Sequence, residues 1–193
     1  LRIIGGHSVQ ARRRLQGWMN DPRVEAWIVP INPQPPWPLA RLLGIKYLRT
    51  LVTQMWYWPL LIRELRKADV VHVFSASYSS FFLAPLPAIV VARLLGKPVL
   101  LNYHSGEADG HLRKSWIART VLRRYVDLNV VPSSFLKTVF SRFGIDAVVI
   151  VNTVDRRDFQ YRVRDLRRRP LTLLSTRNFE PVCAGLRSPA AVG

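Results

Sequence analysis

The sequence predicts an α/β fold built on a doubly wound parallel sheet. Three observations carry this. Short β-branched apolar runs alternate with longer helix-forming stretches. The runs are continuous rather than alternating, as in strands covered on both faces. Glycine or proline marks the junctions, as at Gly96, Pro98 and Gly144. Such alternation closes into a parallel sheet, here of about six strands, with helices on both sides.

The elements follow in order. Leu1–Ile4 is the end of a strand, Gly5-Gly6 a turn, and Ser8 the N-cap of a helix through about Met19. A second strand is expected over Val24–Ile31. It ends in the loop INPQPPWP, whose prolines fit neither helix nor central strand. Residues 39–67 favour helix, with Pro59 expected to kink or divide it. A strand follows over Val70–Phe74, then a helix over Pro87–Leu95 capped by Gly96, then a strand over Val99–Tyr103. HSGEADGHL reads as a polar loop and Lys114–Tyr125 as a basic helix. Asp127–Val131 is a strand, and Ser133-Ser134 cap a helix that stops at Gly144. Ala147–Val151 and Leu171–Ser175 are the last strands, separated by the charge-dense stretch RVRDLRRRP. The mostly apolar run from Val70 to Leu95 is broken by serines and prolines, so strand, loop and helix explain it better than a membrane span.

The charge is extreme. Lys and Arg number 29 against 12 acidic residues, a net +17. That balance favours polyanions, anionic lipid or phosphorylated substrates, and Arg-rich solvated helix faces account for it equally. Nucleic acid is disfavoured, because no recognisable binding motif or aromatic stacking platform accompanies the charge. Cys183 is the one cysteine, so neither an intramolecular disulfide nor a cysteine metal site can form, which fits a cytoplasmic setting. No secretory signal is read at the start, and the first strand is expected to be incomplete at Leu1.

In an open parallel sheet, ligands gather at the carboxyl ends of the strands. Every such end here is small or polar: Gly5-Gly6-His7-Ser8, Ser75-Ala76-Ser77, His104-Ser105-Gly106-Glu107, Pro132-Ser133-Ser134 and Asn152-Thr153-Val154-Asp155. Gly5 and Gly6 before a helix start suit a phosphate, although GGHSVQ lacks the third glycine of a dinucleotide fingerprint and an ordinary turn fits as well. His104, beside Glu107, could donate to a sugar hydroxyl or move a proton, or simply cap its loop. His7, His72, His104 and His111 have no zinc-type spacing, and His72 lies within a strand, where packing explains it. Trp56-Tyr57-Trp58-Pro59, followed by Arg63, Arg66 and Lys67, matches an interfacial surface facing anionic lipid; a core-facing aromatic cluster is the alternative.

Four segments taken in order, KPVLLNYHSGEA, VPSSFLKTVFSRFG, VIVNTVDRRDF and LLSTRNFEP, resemble the amino-terminal half of a family-4-type glycosyltransferase of GT-B architecture. The likeness runs from about Gly5 to Pro181. It implies two Rossmann-like domains facing across a cleft, the first binding a glycan or lipid-linked acceptor and the second a nucleotide-sugar donor. It further implies that Gly5 and Gly6 lie near the donor phosphates and His104 near the transferred sugar, with Ser105, Gly106, Glu107, Ser133 and Asn152 lining the cleft. Arg177 would meet the diphosphate. No metal or other cofactor is implied, and the anomeric configuration is retained.

On this reading residues 1–160 are the acceptor-side domain, 161–170 a basic linker and 171–193 the opening of a donor domain with an atypical tail. The pair of glutamates that grips the donor in that family is missing, since no acidic residue follows Glu180. The chain is therefore expected to be truncated and to have little activity alone. A non-enzymatic acceptor-binding or membrane-docking subunit of a split enzyme is the alternative. A peripheral position on the inner face of the cell membrane is the expected location.

Overall fold

The computed structural model describes residues 6–19, 21–33 and 44–153. The expected first strand, residues 34–38 of the proline-rich segment, the strand at Leu171–Ser175 and the tail lie outside them, as do Gly5, Asp155 and Arg177.

Eleven elements are described. They are α1 (Gly6–Trp18), α2 (Lys46–Leu65), β1 (Val71–Ser75), α3 (Ser79–Leu83), α4 (Pro85–Leu94), β2 (Val99–Tyr103), α5 (Ala108–Lys114), α6 (Trp116–Arg124), β3 (Leu128–Val131), α7 (Ser134–Arg142) and β4 (Val148–Val149). The four strands form one sheet in the order β1-β2-β3-β4, every pair parallel. Register aligns Phe74 with Asn102 and Val130, and Ser75 with Tyr103. Each strand neighbours the next in sequence, so right-handed crossovers put the connecting helices on one face. Val71, Val73, Val99, Leu101 and Tyr103 bury that face together with Ile89 and Ala92 of α4 and Phe140 of α7.

The opposite face carries His72 and Phe74, with α1 laid against it: the Trp18 ring stands 5.9 Å from His72. Helices thus lie on both sides of the sheet, as the sequence predicts.

Capping follows the local chemistry. Ser133 Oγ accepts from the Leu136 N–H at 3.3 Å, and Ser115 Oγ from Ala118 at 3.1 Å. Gly96 and Gly144 stop α4 and α7 at φ 67° and 65°, where a side chain would clash with its own backbone. Asp127 crosses from the start of β3 to accept from the Val99 N–H at 2.7 Å, which fixes β2 beside β3.

The structure corrects four local expectations. α1 begins at Gly6, so Ser8 lies inside the helix and not at its cap. Residues 24–31 form no strand: Val24, Trp27, Ile28 and Ile31 are all exposed, only Val29 packs against the core, and β-branched content with so little burial makes no ladder. α2 runs unbroken through Pro59, held by a buried stripe of Val52, Tyr57, Leu61 and Leu65. Part of the expected loop after β2 is helix α5, whose Asp109 pairs with Arg113 at 3.0 Å, one turn apart. The apolar run from Val70 to Leu95 resolves into β1, α3 and α4, and no helix among the described residues is long and apolar enough to cross a membrane.

Candidate functional site

The carboxyl ends of the strands are where the sequence places the chemistry. His104 is the first residue past β2. Its N–H donates to the Ser75 carbonyl at 3.3 Å, which carries the parallel pairing one residue beyond the strands. Its ring stacks on Phe74, centroids 6.1 Å apart, and Phe74 in turn stacks on His72 at 4.7 Å. Trp18 of α1 completes this row of rings along one sheet face. His104 is thus half-buried, stands on the α1 side of the sheet, and has a stiff aromatic floor.

Ser105, Gly106 and Glu107 form the short link from β2 to α5. Ser105 Oγ accepts from the Glu107 N–H at 3.3 Å, while the Glu107 carbonyl accepts from the His111 N–H at 3.0 Å. The Glu107 side chain is exposed and makes no capping bond. A Cβ at Gly106 would meet nothing within 4 Å, so the backbone there is open to an approaching group. Ser133 Oγ is committed to accepting the α7 cap bond, so the polar feature it adds to the β3 end is its O–H. Asn152 lies exposed after β4. Next to it, the Thr153 carbonyl accepts from Gln10 at 3.3 Å and from Arg13 at 2.9 Å, both on α1.

α1 is thereby tied to the loop beyond β4. Gly6 is its first residue, and a helix start presents free N–H groups suited to an anion. His104, Gly6 and Asn152 all belong to the carboxyl edge of the sheet on this topology. Ser133 sits on the same edge, at the start of a helix on the other face.

The electrostatics are set by burial and by an excess of cations. Desolvation, with Arg14 and His104 adding positive charge, drops the His72 pKa to about 4, so this ring is neutral. That agrees with a packing role for His72. Among the described residues no three His, Cys, Asp or Glu side chains gather closely enough to hold a metal ion.

A second polar group at this edge was not legible beforehand. Tyr103, Ser77 and His111 form a buried hydrogen-bonded chain behind the 104–107 loop. Burial pushes the Tyr103 phenol up to about 12 and the His111 ring below its ordinary value. Tyr103 reads in the sequence as one more apolar strand residue, and His111 as a loop residue. Only the order-dependent meeting of β1, β2 and α5 brings them together.

No curated protein and no solved structure matches the chain. A family does: the sequence model of Glycosyltransferase Family 4 matches residues 16–158, well over half of the chain. A parallel sheet with helices on both faces agrees with this match. The chain belongs to the family 4 glycosyltransferases, and its matched region is their Rossmann-like amino-terminal domain.

Proposed function

We propose that this domain forms the acceptor side of a cleft in which a sugar passes from a nucleotide-sugar donor to a glycan or lipid-linked acceptor, with retention at the anomeric carbon. The observation that supports it best is the seating of His104 on Phe74 at the carboxyl edge, on the face that α1 covers. In this reading the imidazole holds a hydroxyl of the transferred sugar. The start of α1, with Gly5 and Gly6, faces the donor phosphates. Arg177 meets the departing nucleoside diphosphate, whose growing charge a guanidinium can receive through two parallel hydrogen bonds. Ser105, Gly106, Glu107, Ser133 and Asn152 line the acceptor side. The chemistry requires no metal and no further cofactor.

The 193-residue chain assayed by itself is expected to turn over poorly. The experiment is a panel of labelled nucleotide sugars offered to the chain alone and to the chain joined to a family 4 donor domain. Transfer only in the joined form, lost on His104→Ala, supports the reading. Transfer that His104→Ala leaves at full rate would sink the role of His104. Robust turnover by the chain alone would sink the need for a donor domain.

A second reading has its own observation. The outward face of α2 carries Leu51, Met55, Trp58 and Ile62 at helical spacing, with Leu51 63% and Met55 69% exposed. Arg49, Arg63, Arg66 and Lys67 accompany them on the same helix or just past it. An apolar stripe edged by cations suits a peripheral position on an anionic leaflet, the inner face of the cell membrane. It serves equally an enzyme with a lipid-linked acceptor and a non-enzymatic docking subunit.

A further inference from the structure

Tyr103 and His111 flank the 104–107 loop on either side and are hydrogen-bonded to each other. Tyr103 Oη lies 3.0 Å from His111 Nδ1 and 2.7 Å from Ser77 Oγ. All three residues are buried, Tyr103 and His111 almost completely. The chain joins the segment after β1, the last residue of β2 and the middle of α5.

Rings enclose it. His111 meets Tyr78 at 5.5 Å and Phe81 at 5.3 Å between centroids. Tyr78 itself has φ 56°, left-handed backbone that a non-glycine residue adopts only under constraint. Its hydroxyl fills the space beside Gly110, 2.6 Å from where a Cβ would stand, and the Lys114 ammonium lies 5.9 Å from its ring centroid. The end of β1 and helix α5 are therefore locked through Tyr78 as well.

A polar chain does here what apolar packing would not. Apolar side chains resist separation but tolerate sliding, whereas a buried hydrogen bond fixes both distance and direction. When both ends of a four-residue link are fixed, few loop conformations remain to it. His104 is the first residue of that link, and its N–H already bonds the Ser75 carbonyl.

We propose that Tyr103 and His111 are positioning residues: their buried hydrogen bond, continued to Ser77, clamps the base of the 104–107 loop and so sets where the His104 ring stands. The claim deepens the reading of His104 as a cleft residue and rests on it for its functional meaning. The contact itself is tested without any ligand or turnover.

The test uses amide hydrogen exchange and the ring-carbon resonance of His104, measured by NMR on the full 193-residue chain. Tyr103→Phe, His111→Leu and His111→Asn are compared with wild type. Tyr103→Phe and His111→Leu should speed exchange at the His104 and Glu107 amides about tenfold and shift the His104 ring signal, while β2 and α4 amides keep their rates. His111→Asn, which returns a polar atom close to the place of Nδ1, should restore both readouts. Wild-type exchange and an unmoved ring signal in Tyr103→Phe and His111→Leu would overturn the proposal. So would acceleration spread evenly over the whole domain with no recovery in His111→Asn. If His111→Leu does not fold, Tyr103→Phe, which removes a single oxygen, decides alone. A negative transferase assay leaves these readouts untouched, so the clamp and the proposed activity fail separately.

Discussion

Arg13 Nη1 donates to the Thr153 carbonyl at 2.9 Å, joining the first described helix to the segment that leaves β4. Gln10 donates to the same oxygen at 3.3 Å. One carbonyl thus collects two side chains from successive turns of α1, and this fastens α1 beside the exposed edge of the sheet. A charged donor on a carbonyl outweighs a neutral one, but exposure weakens both. Arg13→Ala should cost about 1 kcal/mol in urea unfolding, and Gln10→Ala roughly half of that. The double variant should cost more than the sum, since after either single change the other donor still satisfies the shared carbonyl. Negligible cost in the double variant would show that the helix is held elsewhere.

His72 gives the fold a pH dependence of known sign. Its folded pKa is about 4 against an ordinary 6.5, mainly because burial penalises the charged ring. Between those values the unfolded chain holds a proton that the folded one does not. Stability therefore rises with pH through that window, is fully present above about 6.5, and is lost as pH falls toward 4. The size is on the order of 2–3 kcal/mol, reduced by whatever water reaches the ring. His111 is shifted in the same direction by burial and adds to the slope. Urea midpoints at pH 7 and pH 5 should differ clearly in the wild type and much less in His72→Gln. An equal drop in both would assign the slope to other groups.

The sheet was legible in the sequence because strands covered on both faces are short, apolar and β-branched, as at Val99–Tyr103, which matches β2 residue for residue. Helix stops were legible at Gly96 and Gly144, since a left-handed terminal residue favours glycine. The segment 24–31 misled for the converse reason: it has strand-forming residues, but Val29 alone of its large apolar residues packs against the core, too little to organise a ladder. α5 was missed because Gly110 lowers its helix propensity, and the need for that glycine comes from Tyr78, which is distant in sequence. At the site, His104 could be found from position alone, as the first polar residue after a strand. Tyr103 and His111 could not, since their meaning depends on which strand-end loop faces which helix.

The outward stripe on α2 makes a prediction that separates surface from core. Met55→Asp and Trp58→Asp remove apolar contact with a bilayer and add repulsion from anionic lipid. Met55 is 69% exposed, so Met55→Asp should move melting little, whereas Trp58 is 38% exposed and Trp58→Asp should lower melting modestly. Sedimentation with anionic vesicles should fall at least tenfold for the double variant. Tyr57 is the internal control. It lies on the opposite, buried stripe, its hydroxyl donating to the Ala84 carbonyl at 3.3 Å, and Tyr57→Ala should lower stability by about 3–5 kcal/mol. Equal, negligible binding of wild-type protein to anionic and neutral vesicles would remove the membrane reading.

Gly110 and Tyr78 offer the most exacting test of how α5 is seated. In a helix, alanine is preferred to glycine by about 1 kcal/mol, so Gly110→Ala would stabilise α5 in isolation. In place, the new Cβ would stand 2.6 Å from the Tyr78 hydroxyl, and the Tyr78 ring cannot swing aside easily with His111 and Lys114 on it. Overpacking of this kind costs about 1–3 kcal/mol, so the net effect should be destabilising. Tyr78→Phe removes the clashing oxygen and leaves the nearest ring carbon at 3.9 Å, an ordinary contact. In that background the propensity of alanine should prevail, and Gly110→Ala should turn neutral or stabilising. Denaturant melts of the four proteins in this cycle should therefore give a coupling energy of about 1–2 kcal/mol between the two positions. Independent effects would mean that Tyr78 does not press on α5, and the loop holding His104 would then be anchored through Tyr103 and His111 without its help.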